Sequence, residues 1–130
     1  MQTYSQGELV LVVDCLDLDL VADFWTSALG YRRASRIYEP YLSLLSDSGH
    51  GPELLLQRVP EAKGGKNRLH VDLRTRDLAA EVGRLCSLGA SVLTVMPLDE
   101  GGWFWHVLAD PEGNEFCVLQ PPEAHWNTVS

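Results

Sequence analysis

The chain has 130 residues, 45% hydrophobic and 22% charged, with a net charge of −8. That is enough apolar material for one core, so folding needs neither a disulfide framework nor a structural metal, and the negative balance argues against nucleic acid, whose binding depends on replacing phosphate counterions with lysine and arginine. Three cysteines (Cys15, Cys86, Cys117) form no CxxC pair, and the start MQTYSQGELV lacks a basic segment followed by an apolar one, so the expected setting is a reducing cytoplasm with no membrane span.

In chain order, LVLVVDCLDLDLVADFWTSALGY (9–31) opens as an apolar strand and passes into a helix whose inward face carries Leu20, Val21, Phe24, Trp25, Ala28 and Leu29. An aspartate caps its start, and Gly30 stands where a left-handed C-cap belongs. Strand-like segments follow at 32–37, 41–45 and 54–58, with SDSGHGPE as the turn between the last two. Six of the ten basic residues (Arg58, Lys63, Lys66, Arg68, Arg74, Arg76) then crowd into 58–76, either as a solvated linker around the glycine pair near 64 or as an attractor for a small anion. LHVDLRTRDLAAEVGRLCSLGAS (69–91) repeats the opening plan, with Asp77 as cap, Leu78, Val82, Leu85 and Cys86 inward, and Gly89 as stop. Further strands are expected at 92–96, 103–109 and 115–120, the last two joined by the turn in ADPEGNEF. Pro121 and Pro122 end the final strand. His50 and His125 read as solvent-exposed, and Trp126 belongs to a tail free to fold over a neighbouring subunit.

Asp17 and Asp77 stand 60 residues apart, and Gly30 and Gly89 stand 59 apart. The chain is thus one α+β domain (1–130) of two tandem βαβββ modules, about 8–60 and 66–121. Their strands are expected to form a curved eight-stranded mixed sheet around a cup, with helices on the outer face and room for a small ligand. Alternation sends His70, Asp72 and Arg74 to the open face, and Val71 and Leu73 toward the helix. A turn centred on 111–114 sets Val107 opposite Cys117, with Trp103, Trp105 and Val107 on the cup side and Phe104 and His106 toward the helices. A slip of one residue exchanges the two sets.

The segments VVDCLDLDLVADFWTSALGY (12–31), KNRLHVDLRTRDLAAEVGRLCSLGA (66–90) and ADPEGNEFCVLQ (109–120), with the paired plan, resemble the vicinal oxygen chelate superfamily, in its glyoxalase-like branch related to bleomycin-resistance proteins. The resemblance implies a divalent metal at four positions, one on the first and one on the last strand of each module. These positions read Val10, Gln57, His70 and Cys117. Only His70 retains a usual ligand, and a valine with a neutral amide suits neither hard ions nor non-haem iron. No cofactor is expected, a divalent metal being the less favoured alternative with His70 its strongest candidate. Cys117 on the apolar strand FCVLQ reads as an inert thiol.

The leading expectation is a small-molecule-binding protein with a degenerate metal site, which sequesters or converts an apolar or aromatic metabolite in the cup. Gln57, His70, Trp103, Trp105 and Cys117 are the ligand-binding candidates, and His70 with Asp72 the acid–base pair. Each has a plainer reading beside it: His70 as a satisfied core histidine, the tryptophans as core. Two alternatives remain: a metal-dependent lyase, isomerase or dioxygenase using His70, and a non-catalytic dimerisation or regulatory module. The resemblance also implies a homodimer.

Overall fold

A computed structural model describes residues 8–36, 38–49, 51–67 and 69–128; His50 and Arg68, named above, lie outside the described residues. The chain divides into two compact units, Met1–Ala62 and Lys63–Ser130. The first holds β1 (Val10–Cys15), α1 (Leu18–Leu29), β2 (Tyr31–Arg33), β3 (Tyr41–Ser46) and β4 (Glu53–Arg58). The second holds β5 (Asp72–Arg74), α2 (Leu78–Ser87), β6 (Ser91–Val92), β7 (Leu98–Glu100), β8 (Trp103–Ala109), β9 (Glu115–Gln120) and α3 (Glu123–Thr128).

In the first unit the strands run in the order β1-β4-β3-β2, with β1 parallel to β4 and the other pairs antiparallel. Helix α1 begins because the extended Asp17 accepts the Leu20 N–H at 3.2 Å, and it ends because Gly30 takes φ 71°, open to glycine without steric cost. Its buried stripe is Leu18, Val21, Ala22, Phe24, Trp25 and Ala28, set against Leu42, Leu44, Leu54 and Leu56 of the sheet. Each leucine, valine or phenylalanine among them contributes roughly 1.5–3 kcal/mol of transfer free energy. Leu20, expected inward, is 46% exposed: a helix starting at Leu18 directs its stripe along 18, 21, 22, 25 and 28, and Leu20 falls on the opposite side.

The second unit repeats this plan in the order β5-β9-β8-β6, with β5 parallel to β9, and adds β7 on β8. The α+β class and the paired βαβββ plan therefore stand, with four and five strands in the two sheets among the described residues rather than eight in all. Asp77 caps α2 through the Ala80 N–H at 3.1 Å, and Gln120 Oε1 accepts the Leu78 N–H at 2.8 Å, tying the helix start to β9. Leu78 and Leu85 are buried, while Val82 and Cys86 are half-buried. The predicted strand over 92–96 shrinks to Ser91–Val92 because the Val107 N–H turns to the Thr94 hydroxyl (3.3 Å) instead of a backbone carbonyl, and Pro97 has no N–H to give. The β8–β9 turn closes around the buried Asp110, which accepts the N–H groups of Glu112 and Asn114 at 2.9 Å each and the Asn114 side-chain amide at 3.0 Å. Val107 lies opposite Cys117, as that turn requires.

Three of the basic residues in this run, Arg58, Lys63 and Lys66, have carboxylate partners within their own units. Glu115 takes Lys66 at 3.3 Å, Lys63 at 3.9 Å and the Asn67 N–H at 3.4 Å, while Arg58 meets Glu39 at 2.8 Å.

Candidate functional site

Strand pairing decides which side chains of the second sheet share a face, since directly opposed residues point the same way. Asp72 pairs with Cys117, Arg74 and Trp105 both pair with Leu119, and Val107 pairs with Cys117. On the other side of β8, Leu98 pairs with Trp105 and Glu100 with Trp103. All of these occupy the face turned away from α2, because the opposite face carries the buried Leu108, Phe116 and Val118 under the helix. On the open face lies a pocket of about 490 Å³ lined by His70, Asp72, Glu100, Trp103, Trp105 and Leu119. That volume falls in the range that holds a small organic ligand. His70 reaches the pocket from two residues before β5, not from the strand on which the alternation set it. Phe104 keeps the helix-side parity but is 40% exposed, since it pairs with Gln120 at the end of the sheet. His106 on that side shares a 2.7 Å hydrogen bond with the Thr94 hydroxyl.

The lining is chemically uneven. Two indoles and a leucine give broad apolar area; Asp72 and Glu100 give two carboxylates, and His70 an imidazole. Arg74 stands at the rim with its guanidinium 5.2 Å from the centre of the Trp103 ring. His125 meets Trp103 edge-on, with ring centres 5.2 Å apart at 66°, and meets Trp126 at 5.1 Å and 80°. Arg76 lies 4.5 Å from the centre of the Trp126 ring. Both tail residues therefore depart from the sequence expectation. His125 is half-buried on its own module, and Trp126 folds back under Arg76 of the same chain.

Cys117 shares the open face but does not line the pocket. Burial pushes its thiol above the usual cysteine range and the charges of Asp72 and Glu115 add to that, while Lys66 opposes them. A protonated thiol is a poor nucleophile and a poor metal ligand. Gln57 lies on β4 of the first unit, paired with Asp14. Counted from the capping aspartates, Asp72 and Val12 are equivalent; Asp72 pairs with Cys117 but Val12 pairs with Leu55. Leu55, rather than Gln57, is thus the first-module counterpart of Cys117. Val10 faces Glu53 and has no donor atom to offer. Among the described residues no three His, Cys, Asp or Glu side chains converge to hold a cation.

Sequence reasoning missed Glu100 and Leu119. Glu100 had a signal: the pair Gly101–Gly102, with φ of 59° and 87°, joins Glu100 to Trp103 across a two-residue hairpin loop that needs positive φ at both positions. Leu119 had none beyond its place on an apolar strand.

The sequence profile described as "Glyoxalase-like domain" matches residues 10–119. No curated protein matches the chain. Among solved structures, a glyoxalase/bleomycin resistance protein/dioxygenase from Nocardioides is similar with a TM-score of 0.71 at 18% identity, covering 94% of this chain and 87% of that one. TnmS3, an antibiotic binding protein from Streptomyces sp. CB03234, is similar with a TM-score of 0.67 at 22% identity, covering 92% and 99%. A glyoxalase/bleomycin resistance protein/dioxygenase family enzyme from Burkholderia phytofirmans PsJN gives 0.68 at 16% identity, covering 85% and 95%. At these identities the likeness concerns the fold. No helix among the described residues is long and apolar enough to cross a membrane.

Proposed function

The chain belongs to the glyoxalase-like domain family, and from that premise we propose that it binds a flat, apolar or aromatic small molecule on the open face of its second sheet, without a resident metal. The observation that carries this reading is the pocket in which Trp103 and Trp105 stand beside His70, Asp72 and Glu100. Indole faces give large contact area at low conformational cost, and a few polar groups fix orientation. Asp72 and Glu100 accept hydrogen bonds from donor or cationic groups of the ligand. The His70 imidazole beside Asp72 supplies an acid–base group, so the same arrangement serves sequestration or metal-independent acid–base chemistry on the bound molecule. That TnmS3 is an antibiotic binding protein of similar fold supports the binding side of this reading.

The protein is further read as a homodimer. The segment 92–98 supports this, because Val95 is fully exposed and Met96 is 73% exposed with Leu93 and Leu98 beside them, and contiguous exposed apolar surface marks association sites. Sedimentation equilibrium tests it: a monomer at micromolar concentration refutes the dimer.

The binding test is a titration with proflavine, a flat cationic aromatic, followed by tryptophan quenching and by thermal unfolding, with Zn²⁺, Mn²⁺ and Fe²⁺ in parallel. Saturable quenching and a raised melting temperature with proflavine alone are expected, since a ligand that binds only the folded state stabilises it. Stabilisation by a metal alone favours the metal-dependent lyase, isomerase or dioxygenase. No response to either favours the regulatory module.

A further inference from the structure

The family match ends at residue 119, yet the chain that follows builds against the pocket. The buried Pro121 and the adjoining Pro122 stop β9 because neither can donate to a ladder, and they redirect the chain into α3. A helix of six residues does not persist on its own propensity. Contacts with β8 and with the segment between β5 and α2 hold it: the His125 ring against Trp103, the Trp126 ring under Arg76, and Glu123 within 4.0 Å of the Arg76 guanidinium. Trp103 consequently has two neighbours that fix its ring, Arg74 and His125, each 5.2 Å from its centre. An indole at a strand end without such neighbours samples several rotamers, and each places the ring differently in the pocket.

We propose that the C-terminal helix is the specificity element of the pocket, with His125 as a positioning residue that fixes the Trp103 indole and thereby sets a slot for flat ligands. This rests on the reading of the pocket as a ligand site. His125 meets the pocket lining at Trp103, so its influence on binding passes through that ring. Its removal releases one large side chain, worth roughly a two- to tenfold loss of affinity for a ligand that needs the fixed geometry. A bulky ligand, which cannot use the slot, loses less.

The experiment uses the full chain and its H125A, H125F and W103F variants. Two probes of equal charge are titrated: proflavine, which is flat, and tetraphenylphosphonium, which is not. Acrylamide quenching is measured without ligand in each protein, and W103F, made both alone and together with H125A, subtracts the contribution of the other tryptophans, Trp126 beside His125 included. H125A is expected to weaken proflavine binding two- to tenfold, to narrow the preference for proflavine over tetraphenylphosphonium, and to raise the quenching of Trp103. H125F, which keeps the ring contact, is expected to restore all three, with melting temperatures held close to the parent in both variants. An unchanged probe preference and unchanged quenching in H125A overturn the proposal, and so does H125F behaving as H125A does. If the parent protein binds neither probe, the ligand site itself fails and the specificity role with it; the quenching arm still reports whether His125 seats Trp103, so the two failures are told apart.

Discussion

In the first module α1 closes over its sheet with six buried residues, Phe24 and Trp25 among them with ring centres 5.0 Å apart, whereas α2 of the second module buries Leu78 and Leu85. The second module instead carries Trp103 and Trp105 on the sheet face turned away from α2. The first module's equivalent face bears Val12, Asp14, Leu55 and Gln57 on β1 and β4, and its Ser43 hydroxyl donates to the Glu53 carboxylate at 2.6 Å. The difference teaches that a duplicated plan can repeat caps and pairings while the large aromatic side chains move from core to pocket. The first module spends its large aromatic side chains in the core under its helix, and on the proposed reading the second turns two of its own toward a ligand.

The strongest way to break this contrast is to truncate the cores. Phe24→Ala should cost about 3–5 kcal/mol in urea denaturation, because it removes a fully buried ring from a dense cluster. Leu85→Ala should fall toward the lower end of roughly 2–5 kcal/mol under the thinner α2 layer. Equal losses would show that the helices contribute alike. Trp105→Ala separates binding from folding. It should cost about 2 kcal/mol in proflavine affinity, roughly thirtyfold, against about 1 kcal/mol or less of stability through its cross-strand neighbours Leu98 and Leu119. A larger stability loss than affinity loss would return Trp105 to the core. Where the modules repeat each other they should respond alike: Asp17→Ala and Asp77→Ala each remove one side-chain cap of about 3 Å geometry, and each should cost about 1 kcal/mol by thermal denaturation.

The smallest expected effect is a pH dependence confined to the second module. Burial alone pushes the Glu115 carboxyl up, but the hydrogen bond from Lys66, the Asn67 N–H and the charges of Lys66 and Lys63 outweigh it and hold the group below the ordinary glutamate range. A carboxyl depressed in the folded state adds stability that is complete above its unfolded value and is lost as the pH falls through its folded value. Glu115→Gln should therefore lower stability at neutral pH, where that contribution is complete, flatten the acid limb, and leave stability unchanged at low pH, where the carboxyl is protonated in both states. An unaltered acid limb would mean that the exposed Lys66 contributes nothing measurable, as many surface pairs do.

The sequence by itself determined the two helices, their aspartate caps, the turn around Asp110 and the register of Val107 against Cys117. Each depends on residues within a few positions of one another, where hydrophobic period, side-chain capping and positive-φ glycines leave readable marks. Strand β7 left no alternation to read, since Leu98, Asp99 and Glu100 are all exposed and only the following glycine pair betrays the hairpin. Trp103 and Trp105 were nameable as candidates, but their company was not. The pocket exists because Asp72 pairs with Cys117 and Trp105 with Leu119, contacts between segments far apart in the chain. The seating of His125 on Trp103 is likewise a ring contact between two strand and tail positions with no shared local pattern. Only tertiary packing decides which distant side chains meet, because that choice minimises exposed apolar area and unpaired polar groups over the whole module rather than within any one stretch of sequence.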